Sequence, residues 1–257
     1  MTIDPRTEGS VEVQVRDAIA TVTFSHPRSN SLPSALLRKL AQEITDVSAN
    51  PGITVIVLRS SGDKAFCAGA SFDEMKAVSD AASGKEFFSG FARVILAMTR
   101  APQFVVTRVQ GKVTGGGVGL VAASDYVFAV EGAALKLSEL AVGLGPFVIG
   151  PVVERKVGRG PFAAMSVDAD WRSAEWAERH GLYARLFAET KEMDKALDDL
   201  LAFLSAANPE AIRQFKTVLW ADTGQWPEML EQRAAISGAL ALSDHTRAAI
   251  ARFSGKR

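Results

Sequence analysis

The sequence predicts an α/β fold in which a parallel sheet is layered with helices and followed by a helical C-terminal third. Three observations carry this expectation. Short β-branched runs alternate with amphipathic helical stripes through the first 130 residues or so. The inner runs lack the polar alternation of half-exposed strands, as buried parallel strands do. After about residue 150 the strand signals nearly vanish.

The elements follow in order. Val11, Val13 and Val15 alternate with polar residues, Asp17-Ala18 turns the chain, and Ile19 to Phe24 resumes the alternation, which predicts an antiparallel hairpin. From Pro33 onward, Leu36, Leu37, Leu40, Ile44 and Val47 form one helical stripe, with the proline near the first turn and Asn50-Pro51-Gly52 as the stop. Ile53 to Leu58 reads as a strand covered on both faces. A second cycle gives a helix presenting Phe87, Phe88, Phe91, Val94, Ile95 and Met98, then a strand over Phe104 to Val109. A third adds the glycine-rich Thr114 to Ala123 and a strand over Tyr126 to Val130. Repeated strand–helix–strand units imply parallel pairing. Leu182 to Phe187 is the last strand candidate among helical stretches running to Arg252. No Pro/Ser/Gly linker divides the chain, so it is expected to fold continuously, with residues 1–190 as the α/β core and 191–257 as a helical region packing on neighbouring subunits.

Composition narrows the function. With 257 residues, 47% of them apolar, the chain can bury one sizeable core. Its 29 basic and 29 acidic side chains cancel, leaving no positive excess to draw nucleic acid or anionic lipid. Cys67, the single cysteine, has no internal disulfide partner, and Met1 to Ser10 carries charges where a secretory signal needs an apolar run. A cytoplasmic location is therefore expected. Val113 to Val130 is broken by Asp125 and four glycines, so no membrane span is expected. His26, His180 and His245 share no spacing with one another or with a carboxylate cluster, and no metal is expected.

Two loops can carry chemistry: Ala65-Phe66-Cys67-Ala68-Gly69-Ala70-Ser71 and Thr114-Gly115-Gly116-Gly117-Val118-Gly119. Each follows a strand and consists largely of residues small enough to expose backbone amides. A helix beginning just after such a loop points free N–H groups and partial positive charge at an oxyanion. Small residues also permit close strand–helix packing, which is the structural alternative. Ser71 with Glu74 three residues on reads as a capping box.

Six segments, Pro27 to Leu32, Asp63 to Ala70, Gln110 to Gly117, Ser138 to Pro146, Ser173 to Leu182 and Phe253 to Arg257, stand in an order that resembles the enoyl-CoA hydratase/isomerase (crotonase) family over nearly the whole chain. Pro27-Arg28-Ser29-Asn30-Ser31-Leu32 is similar to the family's P-x-x-N-A-L, and Asp63 to Ala70 to its K-A-F-C-A-G-A-D loop. Gln110 to Gly117 resembles N-G-x-x-x-G-G-G; Ser138-Glu139-Leu140 with Gly143 and Pro146 resembles P-E-x-x-x-G-x-x-P. Ser173 to Leu182 and Phe253 to Arg257 resemble two later motifs, S-A-x-x-A-x-x-x-G-L and F-x-x-K-R. The resemblance implies a crotonase-like core with a C-terminal helical trimerisation region, in a homotrimer or dimer of trimers. It also implies an acyl-coenzyme A substrate with no further cofactor. The backbone N–H groups of Ala68 and Gly116 would form an oxyanion hole for the thioester, and Glu139 would move protons. Family hydratases carry a second glutamate where this chain has Gly119, which favours double-bond isomerisation over hydration while leaving both open. The likeness further implies substrate contacts for Arg28, Lys64, Ala65, Ala70, Phe72, Gly119, Phe147, Phe253 and Lys256. Gly145 to Val153 resembles members acting on branched or glutaconyl-type esters, with Phe147 narrowing the acyl pocket.

Rival readings remain. Gly117-Val118-Gly119-Leu120-Val121-Ala122 fits G-x-G-x-x-A, but Gln110 to Thr114 separates it from the preceding strand, against a dinucleotide site. A non-catalytic acyl-CoA binder, decarboxylation and thioester hydrolysis also fit the scaffold.

Overall fold

A computed structural model describes residues 8–254, with side chains through residue 252. The elements run β1 (Ser10–Arg16), β2 (Ile19–Ser25), α1 (Ser34–Ser48), β3 (Val55–Ser60), α2 (Phe72–Ala77), α3 (Ala81–Arg100) and β4 (Phe104–Val109). Next come β5 (Val113–Thr114), α4 (Gly116–Ala123), β6 (Tyr126–Val130), β7 (Leu135–Lys136) and a 3-10 turn at Leu140–Val142. The rest is α5 (Gly150–Val157), α6 (Arg159–Val167), α7 (Ala174–Arg179), β8 (Arg185–Phe187), α8 (Thr190–Ser205), α9 (Pro209–Leu219), α10 (Trp226–Ala241) and α11 (Asp244–Ser254).

The main sheet has the order β1-β2-β3-β4-β6-β8, and a small sheet pairs β5 with β7. Only β1 and β2 pair antiparallel, with Val13 opposite Val22; every other pairing is parallel. Asp17 takes φ +52° at the hairpin turn, a conformation a short polar side chain tolerates. Val55 to Leu58 are buried, as a strand covered on both faces must be. The stripe of α1 is buried at Leu36, Leu37, Leu40, Ile44 and Val47, so the helical period of the sequence became the packed face. By contrast α4 is buried nearly all round, consistent with its unbroken apolar sequence.

Two details differ from the sequence reading. Of Leu182 to Phe187 only Arg185–Phe187 pairs, with β6; Leu182 and Tyr183 are buried ahead of it, and the Tyr183 hydroxyl donates to Ala133 O at 2.7 Å. The capping box at Ser71 is one-sided. Ser71 Oγ accepts the Glu74 N–H at 3.4 Å, but the Glu74 carboxylate takes the N–H and hydroxyl of Ser34, both at 2.7 Å.

The C-terminal helices are tied into the core. Leu197, Leu201, Trp220, Trp226, Leu230 and Ala234 belong to the same apolar cluster as the sheet, so packing is continuous through residue 190. Lys216 on α9 pairs with Asp125, just before β6. The α10 helix crosses α3 where a Cβ on Gly84 would lie 2.8 Å from the Gly238 Cα. That close approach seats α10 directly against α3.

Candidate active site

The two loops are stitched together by backbone bonds. Phe66 N–H donates to Lys112 O at 3.0 Å and Thr114 N–H to Cys67 O at 2.9 Å. Asn30 braces the first loop from behind: its Nδ2 donates to Ser61 O and Ala65 O, both at 2.9 Å. Gly111 has no alternative, because a Cβ there would sit 1.7 Å from Lys64 O. Gly69 has φ +84°, and a Cβ on it would lie 3.1 Å from Thr114 O and 3.6 Å from Gly116 N. The two loops are thereby packed backbone against backbone.

This geometry corrects one expected donor. The Ala68 N–H donates to Ser29 O at 3.1 Å and the Gly69 N–H points at Cys67 Sγ at 3.4 Å, so neither is free for a ligand. The Ala70 N–H donates no hydrogen bond among the described residues, and Ala70 lines the cavity beside the loop. Gly116, the first residue of α4, lines the same cavity, and the helix terminus leaves its N–H without a partner inside the helix. The Phe91 ring covers the Gly116 Cα so closely that a Cβ would meet it at 2.3 Å. Ala70 and Gly116 are thus the candidate oxyanion pair.

Glu139 lines the same cavity. It opens the 3-10 turn after β7, and its Oε1 lies 3.5 Å from where a Cβ on Gly115 would be. Its Oε2 is shielded from water and has no hydrogen-bond partner. Burial pushes the carboxyl up to about 7, opposed only by the N–H groups of Glu139 and Ser138. A lone carboxyl with that value can take and return a proton near neutral pH.

The cavity between these groups is narrow, about 90 Å³, and is walled by apolar side chains including Met75, Phe88, Leu144 and Val148. Phe72 and Phe147 line it, as expected. Gly119 does not: a Cβ there would strike Ile149 Cγ2 at 2.6 Å, and Ile149 lines the cavity in its place. Arg28, Lys64 and Ala65 lie off the cavity as well. Arg28 is exposed and paired with Asp73, Lys64 is exposed, and the Ala65 carbonyl is taken by Asn30. Lys256 and the side chain of Phe253 lie outside the described residues.

Several lining residues escaped the sequence reading: Phe88 and Phe91, whose helical spacing marked them only as core, and Ile149. So did Ser237 on α10, whose buried hydroxyl bonds its own helix at Arg233 O, 3.2 Å away. Nothing in the local sequence around Ser237 marks a site, because α10 reaches the cavity only through its crossing with α3. Among the described residues no group of histidine, cysteine and carboxylate side chains could hold a metal ion, and no helix is long and apolar enough to cross a membrane.

A parallel sheet layered with helices, two small-residue loops and a buried glutamate beside them match the crotonase architecture, and comparison with known proteins agrees. The chain belongs to the enoyl-CoA hydratase/isomerase family, whose profile matches residues 14–257. YngF of Bacillus subtilis (strain 168) is 32% identical over 201 residues, 77% of this chain and 76% of that protein. A (7aS)-7a-methyl-1,5-dioxo-2,3,5,6,7,7a-hexahydro-1H-indene-carboxyl-CoA hydrolase of Rhodococcus jostii (strain RHA1) is 28% identical over 203 residues, covering 79% and 77% of the two chains. Among solved structures, an enoyl-CoA hydratase from Bacillus halodurans superposes with a TM-score of 0.86 at 20% identity, covering 94% of this chain and 99% of that one. The protein is thus an acyl-CoA-processing enzyme.

Proposed function

We propose that this enzyme shifts the double bond of an enoyl-CoA through a thioester enolate, with Glu139 as the only proton shuttle. The observation that carries the reading is the isolation of Glu139. Among the described residues it is the sole titratable side chain lining the cavity, and the position of a second carboxylate is closed by the contact of Ile149 with Gly119. In the reaction the Glu139 carboxylate takes a proton from C2 of a 3-enoyl-CoA, the electron pair delocalises onto the thioester oxygen, and the same carboxyl returns the proton at C4, giving the 2-enoyl-CoA. The N–H groups of Ala70 and Gly116 would stabilise the developing oxyanion, each by roughly 3 kcal/mol in a dry site. Water addition needs a second base to deprotonate the water, and among the described lining residues Glu139 is accompanied by the Ser138 and Ser237 hydroxyls but by no second carboxylate. The reading needs no cofactor beyond the coenzyme A of the substrate. On the family likeness we also infer a homotrimer or dimer of trimers, which light scattering tests directly.

The experiment is a paired assay of 2-enoyl- and 3-enoyl-CoA esters, short, branched and glutaconyl-type, on wild type and Glu139→Gln. The expected result is turnover of a 3-enoyl ester that drops 10²- to 10⁴-fold in the variant, the range of general acid–base catalysis. Efficient hydration of a 2-enoyl ester, or a variant as active as wild type, would overturn the reading. Tight binding without turnover would point instead to an acyl-CoA binder.

A further inference from the structure

The Glu139 carboxylate has no hydrogen-bond partner at Oε2, so no side chain in the cavity holds that oxygen in place. The hydrogen bonds the carboxyl does receive come from the backbone N–H groups of Ser138 and Glu139, so its orientation depends on the backbone of the turn that they open. That turn is closed on itself, with Glu139 O accepting the N–H groups of Val142 at 3.1 Å and Leu144 at 2.9 Å. Gly143, at φ +79°, ends it.

Support for the turn comes from the far end of the chain. Thr246, buried at 1% exposure on α11, donates its hydroxyl to Gly143 O at 2.8 Å. The helix backs directly onto the turn: a Cβ on Gly143 would lie 2.8 Å from Thr246 Oγ1, 3.0 Å from Thr246 Cα and 3.3 Å from His245 Cδ2. Ser243 fixes the Thr246 rotamer from the other side, its Oγ 3.1 Å from Thr246 Oγ1. Val142 and Leu144 pack in an apolar cluster separate from the main core, with Met75 and Val78 by α2, Phe87 of α3, Ala241 of α10 and Ile250 of α11. The segment holding the reactive carboxylate therefore rests on a small satellite core to which the C-terminal helix adds a polar clasp.

We propose that Thr246 is a positioning residue for Glu139, its hydroxyl fastening the turn so that the carboxylate is held at the amide pair. The proposal rests on the reading of Glu139 as proton shuttle. Glu139 is the titratable group on the cavity side of the turn and His245 the one that flanks it on α11.

The test compares wild type with Thr246→Val, which keeps shape and loses the hydroxyl, and Thr246→Ser, which keeps the hydroxyl, with Glu139→Gln as reference. Each is assayed for kcat, KM, the pH profile of kcat, Tm and the affinity for a saturated short-chain acyl-CoA, which binds without reacting. The expected result is a kcat lowered about 10- to 100-fold in Thr246→Val, the scale of small misplacements of a catalytic group. KM and saturated acyl-CoA affinity should stay within about twofold, the pH profile should shift, and Thr246→Ser should recover most of the rate. A Thr246→Val enzyme with wild-type kcat and pH profile would overturn the proposal. So would equal losses in the valine and serine variants, or a loss that falls on Tm and KM together with kcat. Failure of Glu139→Gln to lower the rate would instead overturn the proton-shuttle reading, so the two failures are distinguishable.

Discussion

Asp125 and Glu139 are both carboxylates withdrawn from water, and their surroundings could hardly differ more. Asp125 accepts the Val105 N–H and the Trp220 Nε1–H, each at 2.7 Å, and pairs with Lys216. Lys216 is itself 3% exposed and also donates to Met98 O at 3.0 Å; burial pushes its ammonium down while Asp125 holds it up. Glu139 has an oxygen with no partner and apolar neighbours. A buried charge met by donors fixes architecture, here clasping α9 to the sheet, whereas the Glu139 carboxyl, whose Oε2 meets no donor, has its value raised toward neutral by burial.

Four measurements break or sharpen this contrast. The largest effect is the loss of turnover in Glu139→Gln, 10²- to 10⁴-fold, with no comparable loss of activity expected from Lys216→Met, whose site lies away from the cavity. Next, Asp125→Ala strands the Lys216 ammonium and should destabilise by about 3–5 kcal/mol in denaturant titration. Lys216→Met should cost much less, because Asp125 keeps two donors.

Third, the raised Glu139 carboxyl makes a pH-dependent stability difference. The folded state holds the proton more tightly than an unfolded chain with a value near 4.5, so the stability this gives is whole below about pH 4.5 and lost as pH rises through about 7. Glu139→Gln should match wild type in unfolding free energy at pH 4 and exceed it at pH 8, by up to about 3 kcal/mol. Equal stabilities at both pH values would mean that the carboxyl is better solvated than its surroundings indicate. Smallest is Gly119→Ala, whose methyl meets Ile149 and should destabilise by about 1–3 kcal/mol, with partial relief when Ile149→Ala is added.

Much of this molecule is legible in the chain. The stripes of α1 and α3, the doubly buried β3 and the hairpin register follow from periodicity, because each depends on local spacing and on one face meeting a core. The glycine-rich loops and Glu139 were likewise visible, since a backbone that must approach a ligand leaves small residues behind. Which amide is free was not. Ala68 and Ala70 are the same residue type two positions apart, and only the tertiary contact with Ser29 uses up one of them.

The sequence by itself determined the strand–helix order, the family and the absence of a second glutamate at position 119. Tertiary structure alone decided that Ile149 fills the space beside Gly119, that Ser237 reaches the cavity from α10 and that Thr246 holds the turn of Glu139. The reason is range. Secondary structure is written in neighbours three or four residues apart, whereas Thr246 and Gly143 are 103 residues apart and meet only because α11 folds back across the satellite core.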